Sequence, residues 1–278
     1  MITFIVATRN VHKLGEIRAV LGVGARCLSL ADLPPAPDVV EDAQTFAGNA
    51  LKKALALASW LRRHRTPAFV SGVTFVMADD SGLEVDALDG DPGVRSARYA
   101  SESGDGNAPD ALNNAKLLAA LKSVQASGRT ARFRCAIAVV PVVDSPEFPH
   151  EPGGAGALTS PYLVPREHGH PGADSSARQR HASPLDDASS QCGLGTGLEA
   201  LQEHADRGER VFEGKCEGSI AMTLSGSGGF GYDPLFIPSG FTLSFAELGE
   251  EVKNRISHRA RALDLVKEHL TALRARAS

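Results

Sequence analysis

The sequence contains no run approaching the roughly 18 consecutive apolar residues that a helix needs to cross a bilayer. It also lacks a strong charge excess. Its 29 basic and 33 acidic residues leave a net charge of −4 and a pI near 6.1, so no global basic field draws the chain to nucleic acid or to an anionic membrane. Cysteine is sparse: Cys27, Cys135, Cys192 and Cys216 form no C-x-x-C pair and have no secretory context, which predicts reduced thiols rather than a disulfide framework. Aromatic residues make up only 5% of the chain. The opening MITFIVATRN has no basic leader and too short an apolar run for a signal peptide, so the expected location is the cytoplasm. The P-loop pattern G-x-x-x-x-G-K-[ST], H-E-x-x-H and G-x-S-x-G are all missing, which removes the commonest NTPase, zincin and α/β-hydrolase routes.

With 42% hydrophobic and 22% charged residues, the 278-residue chain can bury a sizeable core, and the disordered, collagenous and coiled-coil classes are excluded. The composition is uneven, however. Seven of sixteen prolines and four of nine histidines fall between Asp144 and Gly197, a Pro/Gly/Ser/His-rich segment without helical or strand periodicity. So few bulky apolar residues cannot offset the ordering entropy, and a mobile surface loop inserted into a single 1–278 domain is expected. Its His168-x-His170 pair has no Cys or carboxylate at ligand spacing and reads as solvated.

Elsewhere strands and helices alternate, which predicts an α/β protein. Residues 2 to 7 read as a strand buried on both faces. A helix follows Asn10, with Val11, Leu14, Ile17 and Leu21 on one face. A second helix is expected over Thr45 to Arg63, a strand over Val73 to Ala78, a helix over Pro109 to Gln125 and a strand over Arg132 to Val140. The last helix should run from Ser257, as N-cap, to about Leu273.

Four constellations can carry chemistry. Thr8, Arg9, Asn10, Val11, His12 and Lys13 occupy the turn from the first strand into the first helix, where free backbone N–H groups, the helix dipole and the Lys13 charge suit phosphate. Asp79 and Asp80 follow an apolar strand, with Ser81 and Gly82 next. Paired carboxylates at a strand terminus suit a ligand crevice, and hard oxygen donors there suit Mg²⁺. Glu41 and Asp42 supply further carboxylates before the second helix. The third constellation, Gly226 to Pro234, contains G-x-G-x-x-G, but Pro234 and the extended Leu235-Phe236-Ile237 exclude a dinucleotide-binding turn. What remains is a flexible loop in which Phe230, Gly231, Tyr232 and Asp233 can close on a planar base. The fourth, Lys253 to Arg261, leads into the last helix. Cations there oppose the macrodipole, which suggests an anionic or polar ligand.

In this order, the constellations resemble those of the inosine triphosphate pyrophosphatase family, the Ham1-like non-canonical purine nucleoside triphosphate pyrophosphatases. The resemblance rests on Ala7-Thr8-Arg9-Asn10-Val11-His12-Lys13 with Glu16, Glu41 with Thr45-Phe46 and Asn49-Ala50, Ala78 to Leu83, Pro92-Gly93-Val94 with Ser96 to Tyr99, Phe230 to Pro234, and Lys253 to Arg259. It implies an elongated mixed central sheet flanked by helices in two lobes, with a central active-site cleft, in a cytoplasmic homodimer. It also implies hydrolysis of ITP, dITP and XTP to the monophosphate and pyrophosphate with Mg²⁺. Carried over, Thr8 to Lys13 hold the triphosphate, Glu41 and Asp80 ligate the metal, and Asp80 accepts the proton. Ser81 contacts substrate, Phe230 to Asp233 surround the base, and Lys253, His258 and Arg259 read it. Asp91, Arg95 and the long insertion depart from the family pattern. A pyrophosphatase of the same general fold acting on modified pyrimidine or methylated nucleotides, and a non-catalytic nucleotide sensor, remain alternatives at this level.

Overall fold

The computed structural model describes residues 2–36, 38–64, 74–101, 106–142 and 208–277. The 144–197 segment, with its histidine pair and Cys192, lies outside the described residues. Six strands form one open mixed sheet in the order β2-β1-β3-β4-β5-β6. The run ITFIV makes β1 (Ile2–Val6), every residue of it buried, between the parallel strands β2 (Ala25–Ser29) and β3 (Thr74–Val85). Beyond β3 the sheet is antiparallel through β4 (Thr130–Pro141), β5 (Arg210–Ile220) and β6 (Phe236–Pro238).

Helices cover both faces, as an α/β sheet requires. On one face α1 (Val11–Leu21) and α5 (His258–Ala277) pack Leu14, Ile17, Leu263 and Val266 against Phe75, Met77 and Ile137. On the other, α2 (Phe46–His64) packs Ala50, Ala54 and Leu57 against Val76, Ala78 and Ala138. A third core at the far end of the long strands joins Leu83, Phe133 and Phe236 to Leu117 of α3 (Asp110–Ala120) and Phe245 of α4 (Phe245–Ile256).

Four expectations need correction. The strand expected to end at Ala78 continues to Val85, because β4 pairs with β3 from Phe75↔Pro141 to Val85↔Ala131. Val11 is 72% exposed rather than buried: Leu263 and Val266 of α5 pack against the later turns of α1, at Leu14, Ile17 and Leu21. The third helix ends at Ala120, five residues early. Lys253 does not precede a helix; it lies in the last turn of α4, an element the sequence did not reveal. There a cation complements the macrodipole, so no external anion is needed to explain it. Ser257 caps α5 as expected, its hydroxyl accepting the Ala260 N–H at 3.1 Å.

One glycine sets where α5 begins. Gly214 lies on β5 opposite Cys135, and a Cβ there would run into the His258 carbonyl and approach the Ala262 nitrogen to 2.6 Å. The missing side chain lets the first turn of α5, which carries Arg259, lie directly on the sheet. Gly214→Ala should therefore destabilise the fold by about 3 kcal/mol, since helix backbone rather than a flexible side chain must move. Urea unfolding checks this, and a loss under 1 kcal/mol would contradict it.

Candidate functional site

The site forms where β1 stops. Ala7 closes the β1–β3 pairing by donating its N–H to the Met77 carbonyl at 2.7 Å, after which the chain turns away at Thr8. Beyond Met77, β3 has left β1 but still pairs with β4, and Asp79-Asp80-Ser81 emerge at that step. Strand periodicity then separates the adjacent carboxylates. Asp79 shares a face with Met77 and looks toward α1 and α5, while Asp80 shares a face with Ala78 and looks toward α2. Thr8, Arg9, Asn10, Lys13, Glu41, Lys53, Asp79, Asp80, Ser81 and Arg98 line a cleft of about 900 Å³.

On the α5 side the charges are mutually satisfied. Asp79 accepts from Lys13 Nζ, from Arg259 Nε at 3.2 Å and from Cys135 Sγ at 2.9 Å. Arg259 also donates to Glu16 and, through Nη2, to Ser81 Oγ at 2.9 Å. Lys253 bridges Glu16 Oε1 at 2.8 Å and Asp233 Oδ2 at 2.6 Å. Three carboxylates thus meet three cations. Burial works against the Asp79 carboxylate, but Arg259 and Lys13 beside it hold its pKa well below the usual range. Burial likewise opposes ionisation of Glu16, and Arg259 and Lys253 outweigh it.

The α2 side is not balanced. Asp80 accepts from Asn49 Nδ2 at 3.1 Å and from Lys53 Nζ at 3.4 Å, and Lys53 also reaches Glu41 Oε2 at 3.1 Å. Two carboxylates share one lysine. Burial pushes the Asp80 pKa up to about 6; Lys53 opposes this and the Glu41 charge adds to it. Burial also works against Glu41, yet Lys53 holds its pKa below the usual value. The Glu41 backbone is fixed by Arg98 Nη2, which donates to its carbonyl at 3.1 Å. An excess of hard oxygen donors facing an open cleft is the chemistry of a divalent-cation site with free positions for phosphate and water.

The turn expected to suit phosphate differs from expectation in one respect. Its N–H groups are not all free: Asn10 Oδ1, as N-cap, accepts from His12 N at 2.9 Å and Lys13 N at 3.1 Å, and Thr8 Oγ1 accepts from Asn10 N at 3.1 Å. Arg9 reaches Asp38 across the cleft rim.

Phe230, Tyr232, Asp233, Lys253, His258 and Arg259 converge beside the cleft rather than lining it. The Phe230 ring stacks on His12 with centroids 5.5 Å apart and covers Lys253 Nζ at 4.3 Å. Its N–H donates to Asp233 Oδ2 at 2.8 Å. His258 stacks on Phe133 at 4.7 Å, and its Nδ1 has no hydrogen-bond partner among the described residues. Burial, with Arg259 and Lys253 nearby, holds its pKa well below 6.5, so the ring is neutral at pH 7.

Sequence reasoning passed over Lys53. The signal was present: Phe46, Asn49, Ala50 and Lys53 follow helical spacing, and a lysine on the apolar stripe of α2 needs buried anions to meet it.

The profile of the Ham1 family matches residues 4–153 and 169–269 of the chain. The dITP/XTP pyrophosphatase of Geobacter sulfurreducens is 40% identical over 271 residues, covering 97% of each chain. That of Porphyromonas gingivalis is 38% identical, covering 96% of each. Among solved structures, the Staphylococcus aureus Ham1 protein aligns with a TM-score of 0.61 at 27% identity over 97% of this chain and 98% of its own. A nucleoside-triphosphatase / dITP/XTP pyrophosphatase from Mycobacterium abscessus aligns with a TM-score of 0.55 at 32% identity, over 95% and 98%.

Proposed function

Because this chain belongs to the Ham1 family, we propose that it hydrolyses non-canonical purine nucleoside triphosphates, ITP, dITP and XTP, to the monophosphate and pyrophosphate. The observation that carries the assignment of roles is the division of charge around Asp79 and Asp80. A self-neutralised cluster stands on the α5 side, and an electron-rich pair facing the cleft stands on the α2 side.

Asp80 and Glu41 would hold Mg²⁺, which supplies charge neutralisation for the triphosphate when bound. Asp80 also accepts the proton of the attacking water, the general-base task of a carboxylate beside the reacting phosphate. Thr8 to Lys13 and Ser81 position the phosphates, with Lys13 contributing a positive charge 19% exposed at the cleft wall. Lys53 holds Asp80 and Glu41 in place.

The purine goes to the Phe230–Asp233 loop, with Lys253, His258 and Arg259 reading it. Phe230, whose ring covers the Lys253 ammonium at 4.3 Å, would pack on the base there. Lysine and arginine donate and do not accept, so a 6-oxo group is matched while the amino group of ATP is left unpaired. That costs about 1 to 3 kcal/mol, or one to two decades in kcat/KM. The family resemblance also supports a single catalytic domain spanning 1–278, a cytoplasmic location and a homodimer without nucleic-acid or membrane partners. Among the described residues, no helix is long and apolar enough to cross a membrane.

Incubating the protein with ITP and Mg²⁺ should yield IMP and pyrophosphate in equal amounts, and ATP should turn over at least tenfold more slowly. Release of orthophosphate from ITP would refute the assignment, as would a pyrimidine triphosphate outcompeting ITP.

A further inference from the structure

One helix binds both backbone polar groups of Gly231. The Gly231 N–H donates to Asp110 Oδ2 at 2.7 Å, and its carbonyl accepts from Asn114 Nδ2 at 2.9 Å. Asp110 and Asn114 stand one turn apart on α3, so both side chains leave the same face. Asn113 performs a different task. It donates to the Ala97 and Ala108 carbonyls, each at 3.2 Å, and accepts the Ala100 N–H at 2.8 Å, fastening α3 to the turn Gly93–Arg98. The following residue of the loop is tied to that turn as well, the Tyr232 hydroxyl donating to the Ser96 carbonyl at 2.9 Å. Ser96 Oγ in turn accepts the Leu83 N–H at 2.8 Å, three residues beyond Asp80 on β3.

These tethers add to the bonds the segment makes elsewhere, among them the Gly228 N–H to the Ala246 carbonyl and the Asp233 N–H to the Phe230 carbonyl, each at 3.3 Å. Gly226, Gly229 and Gly231 all adopt positive φ, and such a loop samples many states unless directed bonds restrict it. Asn114 is buried, and its Oδ1 has no partner among the described residues, so among them its side chain makes one hydrogen bond, to the Gly231 carbonyl.

We propose that Asp110 and Asn114 are positioning residues that clamp Gly231 and thereby set the affinity for the purine without touching it. The inference rests on the assignment of Phe230 to the base. Phe230 is fixed on one side by the Asp233 carboxylate and on the other by the clamped Gly231. With the second anchor gone, the ring must be ordered anew each time a base docks, and binding weakens.

Asp110 is exposed, so its replacement leaves the core intact. In the full chain, Asp110→Ala should raise KM for ITP about fivefold with kcat within about twofold, the effect of one lost hydrogen bond to a charged group at the surface. Calorimetry should show IMP bound about fivefold more weakly, while inhibition by pyrophosphate, which has no base, stays unchanged. Asp110→Asn keeps an acceptor oxygen and should restore IMP affinity to within about twofold of the parent. Unchanged IMP affinity in Asp110→Ala would overturn the clamp, and so would a parallel loss of pyrophosphate inhibition, which marks general loosening. If the parent protein binds IMP but does not hydrolyse ITP, the functional assignment fails while the calorimetric comparison still decides the clamp.

Discussion

Replacing Asp80 by asparagine should remove nearly all turnover and at the same time make the protein more stable. The loss follows from the role of the carboxylate: a positioned general base contributes about 10² to 10⁴ in rate, and Asp80 is also one of the two carboxylates assigned to the metal. We expect kcat for ITP to fall about 10³-fold. The gain in stability follows from linkage. The folded chain holds the Asp80 proton up to a pH of about 6, against an ordinary value of 3.8. A carboxyl with a raised folded pKa binds its proton more tightly in the folded state, so its ionisation costs stability progressively between about pH 4 and 6 and in full above pH 6. Asparagine avoids that cost and leaves Lys53 facing the single carboxylate of Glu41. Without divalent metal at pH 7.5, the variant should gain on the order of 2 kcal/mol, and the gain should shrink as the pH falls from 6 toward 4. Thermal unfolding at several pH values, with ITP turnover measured in parallel, tests both halves. A variant that is no more stable than its parent at pH 7.5, or that keeps a tenth of the activity, contradicts this account of Asp80.

The parts of the fold that were legible in the sequence are those where one physical demand acts alone. The run ITFIV had to be a strand buried on both faces, and the stripe Leu263, Val266 and Leu270 had to face a core. Where demands conflict, the sequence misleads. The stretch DDSGLEV looks like a turn after a strand because it carries charge and glycine, yet β4 pairs along all of it, and Gly82 is there to let the Ser96 hydroxyl and the Gly93 carbonyl approach the strand. Helix α4 was hidden because only Phe245, Ala246 and Lys253 among its residues are buried, and Gly249 at φ 77° breaks its period. Its capping box, Ser244 with Glu247, was nevertheless visible as S-x-x-E. The site residues could be read as short motifs, whereas their pairing could not. Once the strand is known to run past Ala78, its alternation puts Asp79 and Asp80 on opposite faces, but nothing in the order of residues says that one face is balanced in charge and the other is not.

That opposition makes the second large effect run the other way. Arg259 is 1% exposed and binds Glu16, Asp79 and Ser81 at once. Arg259→Met removes one of three cations from a cluster of three buried carboxylates and should destabilise the fold by about 3 to 5 kcal/mol at pH 7.5. Lysine should not rescue it, because a single ammonium cannot reproduce the planar fork that spans two carboxylates. The pH dependence identifies the cause. Burial opposes ionisation of both Asp79 and Glu16, yet Arg259 and its neighbouring lysines hold both below their ordinary values. Such groups contribute stability that is complete above their unfolded pKa of about 4 and is lost as the pH falls through the lower folded value. The difference between parent and variant should therefore be largest at neutral pH and narrow as the pH falls below about 4, and urea unfolding at about pH 7.5 and about pH 2.5 measures it. A loss that is the same at both values would mean that Arg259 acts by packing and not by charge. The companion substitution makes the contrast direct: Asp79→Asn should weaken the fold at pH 7.5, where Asp80→Asn strengthens it. Two neighbouring aspartates then differ in sign because one is fully paired within the protein and the other is left unbalanced at the cleft.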